Sequence, residues 1–303
     1  MNACKRNAVA SALVLFLVSS FTYAADFPTK FTNMGSISNT RHNLTQQPAA
    51  GGINYQAMDA ARNNYGEVCV YCHTPHGANT AVALPLWNRT IKATTYNTYD
   101  KLGTTTLTQT VSQPGAASLS CLSCHDGQTA IDSIVNMPGS GRYDAASMTS
   151  QNDTFLNTWT NASGVTTVAH ATLSLSANPS CVAACHNPSG LGATDFSIFA
   201  IGTDLRNDHP VGVTFPTTNG NGTDFKTPSG LNGATKYFDI DENGKMGSGD
   251  VRLYNTDGKP QVECASCHDP HGVPSAGPGS KFNPTFLRVS NSSSALCLTC
   301  HSK

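Results

Sequence analysis

The run Cys69-Val70-Tyr71-Cys72-His73 places a histidine directly after two cysteines that are three positions apart. The same arrangement recurs four times along the chain, once with an extra residue between the cysteines. The further runs are Cys121–His125, Cys181–His186, Cys264–His268 and Cys297–His301. This spacing is typical of c-type haem attachment, because two thiols add to the vinyl groups on one porphyrin edge and the histidine then ligates the iron.

The recurrence predicts five covalently attached haem c groups. A zinc ribbon or a disulfide framework also uses paired cysteines, but neither requires a histidine immediately after every pair. The predicted attachment residues are Cys69, Cys72, Cys121, Cys124, Cys181, Cys185, Cys264, Cys267, Cys297 and Cys300. The predicted proximal iron ligands are His73, His125, His186, His268 and His301.

The start of the chain has the pattern of a secretory signal peptide, with basic residues, the apolar run Ala8–Phe21 and small residues up to Ala24. We expect residues 1–24 to be removed and residues 25–303 to form the pentahaem cytochrome domain. The eleventh cysteine, Cys4, lies in this leader. No later stretch reaches the length of a membrane span. We therefore expect an exported protein, at the cell surface or alternatively in the periplasm.

Composition predicts a fold with little regular secondary structure. Charged residues make up 12% of the chain, about half of the usual ~25%. Segments 94–110, 152–167 and 214–236 are rich in Thr, Asn, Gly and Pro, which indicates loops and turns. The predicted fold is therefore mostly irregular coil with short helices at the haem motifs, in a single domain wrapped around a haem array. The absence of a basic stripe argues against a nucleic-acid partner.

The ten histidines supply a second ligand for every predicted iron. Five are proximal, and the five spare ones are His42, His76, His170, His209 and His271. This one-to-one match predicts bis-histidine ligation throughout, with the spare histidines as distal ligands. A role for some of them at the surface or beside a ligand is the alternative. His76 and His271 follow the proximal histidines of their own motifs by three residues, so each must serve a different haem.

The repeated C-x-x-C-H-x-P-H-G runs, the Asp208-His209-Pro210 element and the segment from Asn283 to His301 resemble the extracellular multihaem cytochromes that polymerise into conductive filaments, the cytochrome nanowires of metal-reducing bacteria. In that family a histidine near the mature N-terminus ligates a haem of the neighbouring subunit. The resemblance implies this role for His42 and implies a head-to-tail homopolymer. The alternative is that His42 ligates a haem of its own chain, as in a monomeric periplasmic electron shuttle donating to a reductase.

An enzyme such as a multihaem nitrite reductase needs one iron with an open position. Pentahaem nitrite reductases use a lysine as the proximal ligand of that haem, whereas all five motifs here end in histidine. We therefore expect an electron carrier without an open catalytic haem, which exchanges electrons with other redox proteins or extracellular acceptors.

The stretch Asp239–Asp250 follows the spacing of a calcium-binding loop. Oxygen donors fall at positions 1, 3, 5 and 12, glycine at 6 and a backbone carbonyl at 7. Position 12 is Asp instead of Glu, and a solvated turn is the alternative. The predicted Ca2+ ligands are Asp239, Asp241, Asn243, Lys245 and Asp250.

Overall fold

The computed structural model describes residues 31–45, 54–138, 153–160, 164, 166–190 and 194–302. The predicted signal peptide, residues 1–24, lies outside the described residues.

Short helices lie at the cysteine–histidine motifs, as the sequence predicts. In a helical turn the first cysteine and the histidine, four residues apart, lie on the same face. The N–H of His73 donates to the carbonyl of Cys69 at 2.8 Å, and His268 makes the same bond to Cys264 at 3.1 Å. The α-helices are α1 Asn54–Ala61, α2 Ala116–His125, α3 Asp153–Leu156, α4 Cys181–Ala184, α5 Cys264–Cys267 and α6 Cys297–Cys300. The 3-10 helices are Ile37–Asn39, Cys69–Tyr71, Tyr99–Leu102, Ser197–Phe199, Pro284–Phe286 and Ser292–Ser294.

A five-stranded antiparallel sheet lies between the third and fourth motifs, which the composition did not predict. Its strands are β1 Val213–Thr214, β2 Gly230–Asn232, β3 Thr235–Phe238, β4 Val251–Thr256 and β5 Lys259–Val262. The spatial order is β1-β5-β4-β3-β2. The fold is therefore a coil-rich chain with motif helices and, in addition, one sheet.

The expectation that segment 214–236 forms only loops and turns was wrong. It contains the end of β1, all of β2 and the start of β3. The reason is that β4 provides a buried face: Val251 and Leu253 are almost fully buried, whereas Arg252 between them is less so. Once β4 exists, the polar neighbouring segments can pair with its backbone without being hydrophobic themselves.

Buried apolar side chains form three small clusters. The first surrounds the first motif and includes Tyr65, Val70, Tyr71, Ile134, Met137 and Leu156. The second adjoins α2 and contains Tyr96, Leu122, Leu205 and Val211. The third covers the sheet and contains Phe215, Phe238, Val251 and Leu253. Such small clusters agree with a chain in which bound groups provide much of the apolar interior.

Arg89 links the segment after the first motif to the helix of the second. Its guanidinium is buried and donates to the hydroxyl and carbonyl of Ser123 and to the carbonyls of Ala130 and Ile131, at 2.6–3.1 Å. The carbonyls of Ser123 and Ile131 receive their hydrogen bonds from this side chain, whereas the carbonyl of Ala130 also accepts from the N–H of Ser133 at 3.1 Å. Arg89 therefore fixes α2 against the first motif.

Glu263 connects the second motif to the fourth. Its carboxylate accepts hydrogen bonds from the N–H of Gly115 and the hydroxyl of Ser118 at the start of α2. It also forms a capping box with Ser266 at the start of α5. The N–H of Cys264 donates to Ser118 at 2.8 Å. One buried carboxylate therefore fixes the starts of two motif helices beside each other.

Candidate haem-binding site

The cysteines of all five motifs are available for covalent attachment. None of the described cysteines forms a disulfide. At the third motif the extra residue does not displace the histidine: the N–H groups of Cys185 and His186 both donate to the carbonyl of Cys181, at 3.2 and 2.9 Å. The turn widens by one residue, and the cysteine and histidine remain together at its end. The irregular motif therefore fits haem attachment as the others do.

Proximal histidines are oriented by bonds from their Nδ1 atoms to backbone carbonyls. The Nδ1 atoms of His73, His125, His186 and His268 donate to the carbonyls of Pro85, Phe199, Thr194 and Thr285 at 2.9, 2.7, 2.7 and 2.8 Å. This bond places the proton on Nδ1 and leaves the lone pair of Nε2 for a metal. These four histidines therefore have the tautomer that can ligate iron through Nε2.

His271 lies opposite the proximal histidine of the first motif. The ring centres of His73 and His271 are 6.3 Å apart, and the rings are nearly parallel at 12°. Two imidazoles on opposite sides of one metal have ring centres roughly 6.2–6.4 Å apart, given metal–nitrogen bonds of about 2.0–2.1 Å. The pair therefore fits the two axial positions of one iron, and it joins the fourth motif to the first, as the sequence predicts for a histidine so close behind His268.

His42 lies opposite the proximal histidine of the second motif. The ring centres of His42 and His125 are also 6.3 Å apart, with an interplanar angle of 82°. His42 is held by stacking on Phe286 at 4.4 Å and by a bond from Nδ1 to the carbonyl of Pro270 at 3.2 Å. Burial, followed by the nearby His125, lowers the pKa of His42 to about 4. Its ring is therefore neutral near pH 7, as an iron ligand must be.

This position bears on the role that the resemblance implied for His42. The chain segment around His42 is fixed to its own C-terminal part, where the N–H of Phe282 donates to the carbonyl of Asn33 at 2.7 Å. The ring of His42 lies within its own chain against His125. The geometry therefore favours ligation within one chain over ligation of a neighbouring subunit.

His209 is associated with the last motif. Its Nδ1 donates to the carbonyl of Pro210 at 3.1 Å. Burial lowers the pKa of His209, and the proximity of His301 lowers it further. His209 therefore lies near enough to His301 for the two rings to interact electrostatically.

His170 lies in a buried polar network. Its Nδ1 donates to the carboxylate of Asp132 at 2.7 Å, and its Nε2 lies 2.8 Å from the side-chain oxygen of Asn157. Asp132 also accepts from the N–H of Asn63 at 2.6 Å. A carboxylate on Nδ1 is a common support for metal-ligating histidines. Ligation by His170 would require Nε2 to leave the side-chain oxygen of Asn157 and to present a lone pair, without a proton, to the metal.

His76 has an exposed side chain, as do His209 and His271, whereas His42 is half-buried and His170 is buried. Its backbone is fixed, since its carbonyl accepts from the hydroxyl of Thr74 and the amide of Asn136 at 2.8 and 2.7 Å. The structure therefore presents this imidazole at the surface beside the first motif.

Carboxylates beside the histidines are functional residues that the sequence analysis missed. Asp269 directly follows the proximal His268, and its Oδ1 accepts from Nδ1 of His271 at 3.0 Å. Burial acts to raise the pKa of Asp269, but the bond from His271 and the charge of Arg288 outweigh it and lower this pKa to about 2. The H-D-P-H run contained the signal for this contact, since it places the Asp two residues before the histidine. Nothing in the sequence around Asp132 indicated its contact with His170.

The predicted calcium loop joins β3 to β4. The carboxylate oxygens of Asp239, Asp241 and Asp250 come within 4.8 Å of one another. Asp239 accepts from the N–H groups of Asn243 and Gly244 at 3.2 and 2.7 Å, which curls the loop around its own side chain. The donor set is all oxygen, which fits a hard cation such as Ca2+.

Two of the five predicted ligands, Asn243 and Asp250, also accept hydrogen bonds from the backbone of the loop. The side-chain oxygen of Asn243 accepts from the N–H of Lys245 at 2.8 Å, so it faces the backbone. The carboxylate of Asp250 is buried and accepts from the N–H groups of Ile240 and Gly247. The loop therefore connects two paired strands and is fixed to the sheet at its far end.

Comparison with known families gives one match. A family model described as a doubled CXXCH motif matches residues 258–303, which contain the fourth and fifth motifs. No curated protein matches the chain. The paired motif indicates a multihaem c-type cytochrome, a class of electron-transfer protein with covalently bound haem. Within the described ranges, no helix is long and apolar enough to cross a membrane.

Proposed function

We propose that this chain is a pentahaem electron carrier in which two histidines ligate every iron and no haem has an open catalytic position. The observation that supports this most directly is the 6.3 Å spacing of two histidine pairs, each joining a proximal histidine to a spare one. Haem supplies the one-electron chemistry, and the protein holds the haems in place and sets their potentials. Bis-imidazole ligation gives low potentials, because a methionine ligand would raise them.

We propose ligand pairs from two ring contacts, from the electrostatic proximity of His209 to His301, and by elimination for the rest. His271 serves the haem attached at Cys69 and Cys72, and His42 serves the haem attached at Cys121 and Cys124. His209 serves the haem of the last motif. His170 and His76 remain for the third and fourth motifs. The array thereby links motifs that are far apart in the sequence, which keeps neighbouring haems close enough for electron transfer.

The test is the spin state of iron in the purified holoprotein. Mass spectrometry should give five haems for each chain. Electron paramagnetic resonance and optical spectra should show only low-spin ferric haem, and carbon monoxide should not bind the reduced protein rapidly. A high-spin signal amounting to one haem in five would contradict full bis-histidine ligation. It would favour instead a multihaem enzyme in which one iron has an open position.

We propose further that the carrier works as a single exported chain. The contact of His42 with His125 supports this, because a distal ligand supplied by the same chain leaves no iron waiting for a neighbouring subunit. Partners are then other redox proteins or extracellular acceptors, reached by diffusion. Export rests on the predicted leader, and the mass of the mature N-terminus tests it: cleavage after Ala24 or Ala25 is expected.

A conductive filament is the second candidate function. The resemblance of the repeated C-x-x-C-H-x-P-H-G runs and the Asp208-His209-Pro210 element to filament-forming multihaem cytochromes supports it. A link between subunits would then use a histidine other than His42, and His76 has an exposed ring. A head-to-tail contact of this kind does not close and produces a fibre.

Electron microscopy of native secreted protein, together with sedimentation at high concentration, separates the two candidates. Filaments that are lost in His76→Ala but kept in His42→Ala would support assembly through His76. Filaments lost in His42→Ala alone would support the inter-subunit role that the resemblance implies. A monomer at all concentrations supports the single-chain carrier.

We also propose that the loop of Asp239, Asp241 and Asp250 binds Ca2+. The close approach of the three carboxylates supports the site. Without a cation these charges repel one another at short range. The bound ion would stabilise the β3–β4 connection and, through it, the sheet that precedes the fourth motif.

A further inference from the structure

The spare histidines differ in what their Nδ1 atoms bind. His42 and His209 donate to backbone carbonyls, as the proximal histidines do. His271 instead donates to the carboxylate of Asp269 at 3.0 Å. A neutral carbonyl and a charged carboxylate do not act equally on an imidazole, because the charged acceptor draws the N–H proton more strongly.

Hydrogen bonds to two residues fix the orientation of the Asp269 carboxylate. Its Oδ1 accepts from both the backbone N–H and Nδ1 of His271, at 3.1 and 3.0 Å. Its Oδ2 accepts from Arg288 at 3.0 Å. The guanidinium of Arg288 is itself buried and donates to the carbonyls of Ala265 and Ser248, at 2.9 and 2.6 Å. The carboxylate therefore cannot rotate away from the imidazole without breaking the bonds to Arg288.

The backbone directly after His271 is also constrained. Gly272 adopts a φ of +87°, and a Cβ at this position would lie 2.2 Å from the ring of Phe282. Only glycine allows the chain to turn here and lets Phe282 pack against it. This constrained turn lies directly after His271, whose ring centre is 6.3 Å from that of His73.

We propose that Asp269 is a positioning and tuning residue that makes the imidazole of His271 more electron-rich and so lowers the reduction potential of the haem attached at Cys69 and Cys72. The inference rests on the proposed ligation of this haem by His271. A carboxylate on Nδ1 raises ligand basicity, and a more basic axial ligand stabilises ferric over ferrous iron. The haem of the first motif should then have a lower reduction potential than the haems ligated by His42 and His209, whose Nδ1 atoms donate to neutral carbonyls. The haem of His170 is not part of this comparison, because His170 also donates to a carboxylate.

Asp126 offers a matched control. It directly follows the proximal His125, as Asp269 follows His268, and both aspartates are buried. The carboxylate of Asp126, however, accepts from the hydroxyl of Tyr96 and the N–H of Gln128, both at 2.9 Å, and not from a histidine ring. Asp126→Asn therefore removes an equivalent negative charge without altering the hydrogen bond of a ligand.

The experiment compares Asp269→Asn, Asp126→Asn and His271→Ala holoproteins by spectroelectrochemical titration and low-temperature electron paramagnetic resonance. In Asp269→Asn, one haem in five should shift to a higher midpoint potential, and its low-spin g-values should change. In Asp126→Asn, the g-values of all haems should stay as in the native protein. His271→Ala should convert one haem in five to high spin.

An unchanged potential and unchanged g-values in Asp269→Asn, with a high-spin haem in His271→Ala, would overturn the tuning role while leaving the ligand assignment intact. Five low-spin haems in His271→Ala would overturn the assignment and the inference together. If Asp269→Asn does not fold, near-infrared magnetic circular dichroism of the native protein decides: a charge-transfer component displaced from that of ordinary bis-imidazole haems supports the inference, and its absence refutes it.

Discussion

The part of the chain before residue 213 and the part after it are stabilised in different ways. The earlier part contains three motifs and few regular elements, and its described segments are joined by buried polar side chains such as Arg89, Asn88 and Asp132. The later part contains two motifs and a five-stranded sheet with its own apolar cluster. The earlier part therefore combines two apolar clusters with side-chain hydrogen bonds between its loops, whereas the later part combines one apolar cluster with the backbone pairing of a sheet.

This difference indicates how a chain with few charges and small apolar clusters satisfies the polar groups of its backbone. Where no sheet forms, buried side chains supply hydrogen bonds to the backbone groups of the loops. Asn88, for example, donates to the carbonyl of Val70 at 2.7 Å and accepts from the N–H of Asn136 at 2.8 Å. Where the sheet forms, its ladders satisfy the same groups. Glu263 lies where the two parts meet, at the starts of α2 and α5.

The largest effect is expected from Arg89→Met in the earlier part. Removing the guanidinium leaves the carbonyls of Ser123 and Ile131 without this donor, and the carbonyl of Ala130 keeps the N–H of Ser133. The free energy of unfolding should fall by about 4 kcal/mol. Denaturant unfolding of the holoprotein measures this loss. Arg206→Met is the control, because Arg206 pairs with Asp204 at the exposed surface and should cost less than about 1 kcal/mol. Equal losses in the two variants would show that the polar network does not stabilise this part.

Leu253→Ala, which lies in the later part, should cause the next largest loss in the free energy of unfolding. Leu253 is fully buried in β4, so the cavity should cost about 3 kcal/mol. Leu231→Ala in β2, where the side chain is exposed, should change stability little. Hydrogen exchange should show the lost protection in residues 213–262 for Leu253→Ala and before residue 213 for Arg89→Met. Loss across the whole chain in both variants would mean that the two parts unfold as one unit.

Removal of calcium should have an intermediate effect that is confined to the later part. At free Ca2+ one hundred times its dissociation constant, chelation should lower stability by about 2.7 kcal/mol. Asp241→Ala should abolish the difference between chelated and calcium-loaded protein. Glu242→Ala should keep it, because this exposed side chain is not among the predicted ligands. A native melting curve that chelator does not move would leave the loop as a solvated turn.

The smallest effect concerns pH at the junction of the two parts. Burial raises the pKa of Glu263 above its ordinary value, although bonds from Ser118 and Gly115 oppose the change. Because its pKa is higher in the folded protein, the carboxyl is easier to ionise in the unfolded chain. The free energy of unfolding should therefore fall as the pH rises from the ordinary pKa of a glutamate through the pKa of Glu263 in the folded protein. Glu263→Gln should remove that slope, whereas Glu67→Gln at the exposed surface should not. An identical pH profile in Glu263→Gln and the native protein would contradict the prediction.

The sequence alone indicated the attachment chemistry, because the two cysteines that form thioethers and the histidine that ligates the iron stand within a few consecutive residues. It also indicated the one-turn helices at the motifs and the oxygen-rich loop after Phe238. The sheet was missed because its outer strands are polar and form only once β4 provides a buried partner.

Only the tertiary structure decided which histidines come together. His42 and His125 are 83 positions apart in the sequence, and His73 and His271 are 198 positions apart, yet both pairs have ring centres 6.3 Å apart. Counting histidines predicts that partners exist but not which ones meet, since that depends on how distant loops pack. The carboxylate support of His170 by Asp132 has the same origin, because no local pattern records a contact that long-range folding creates.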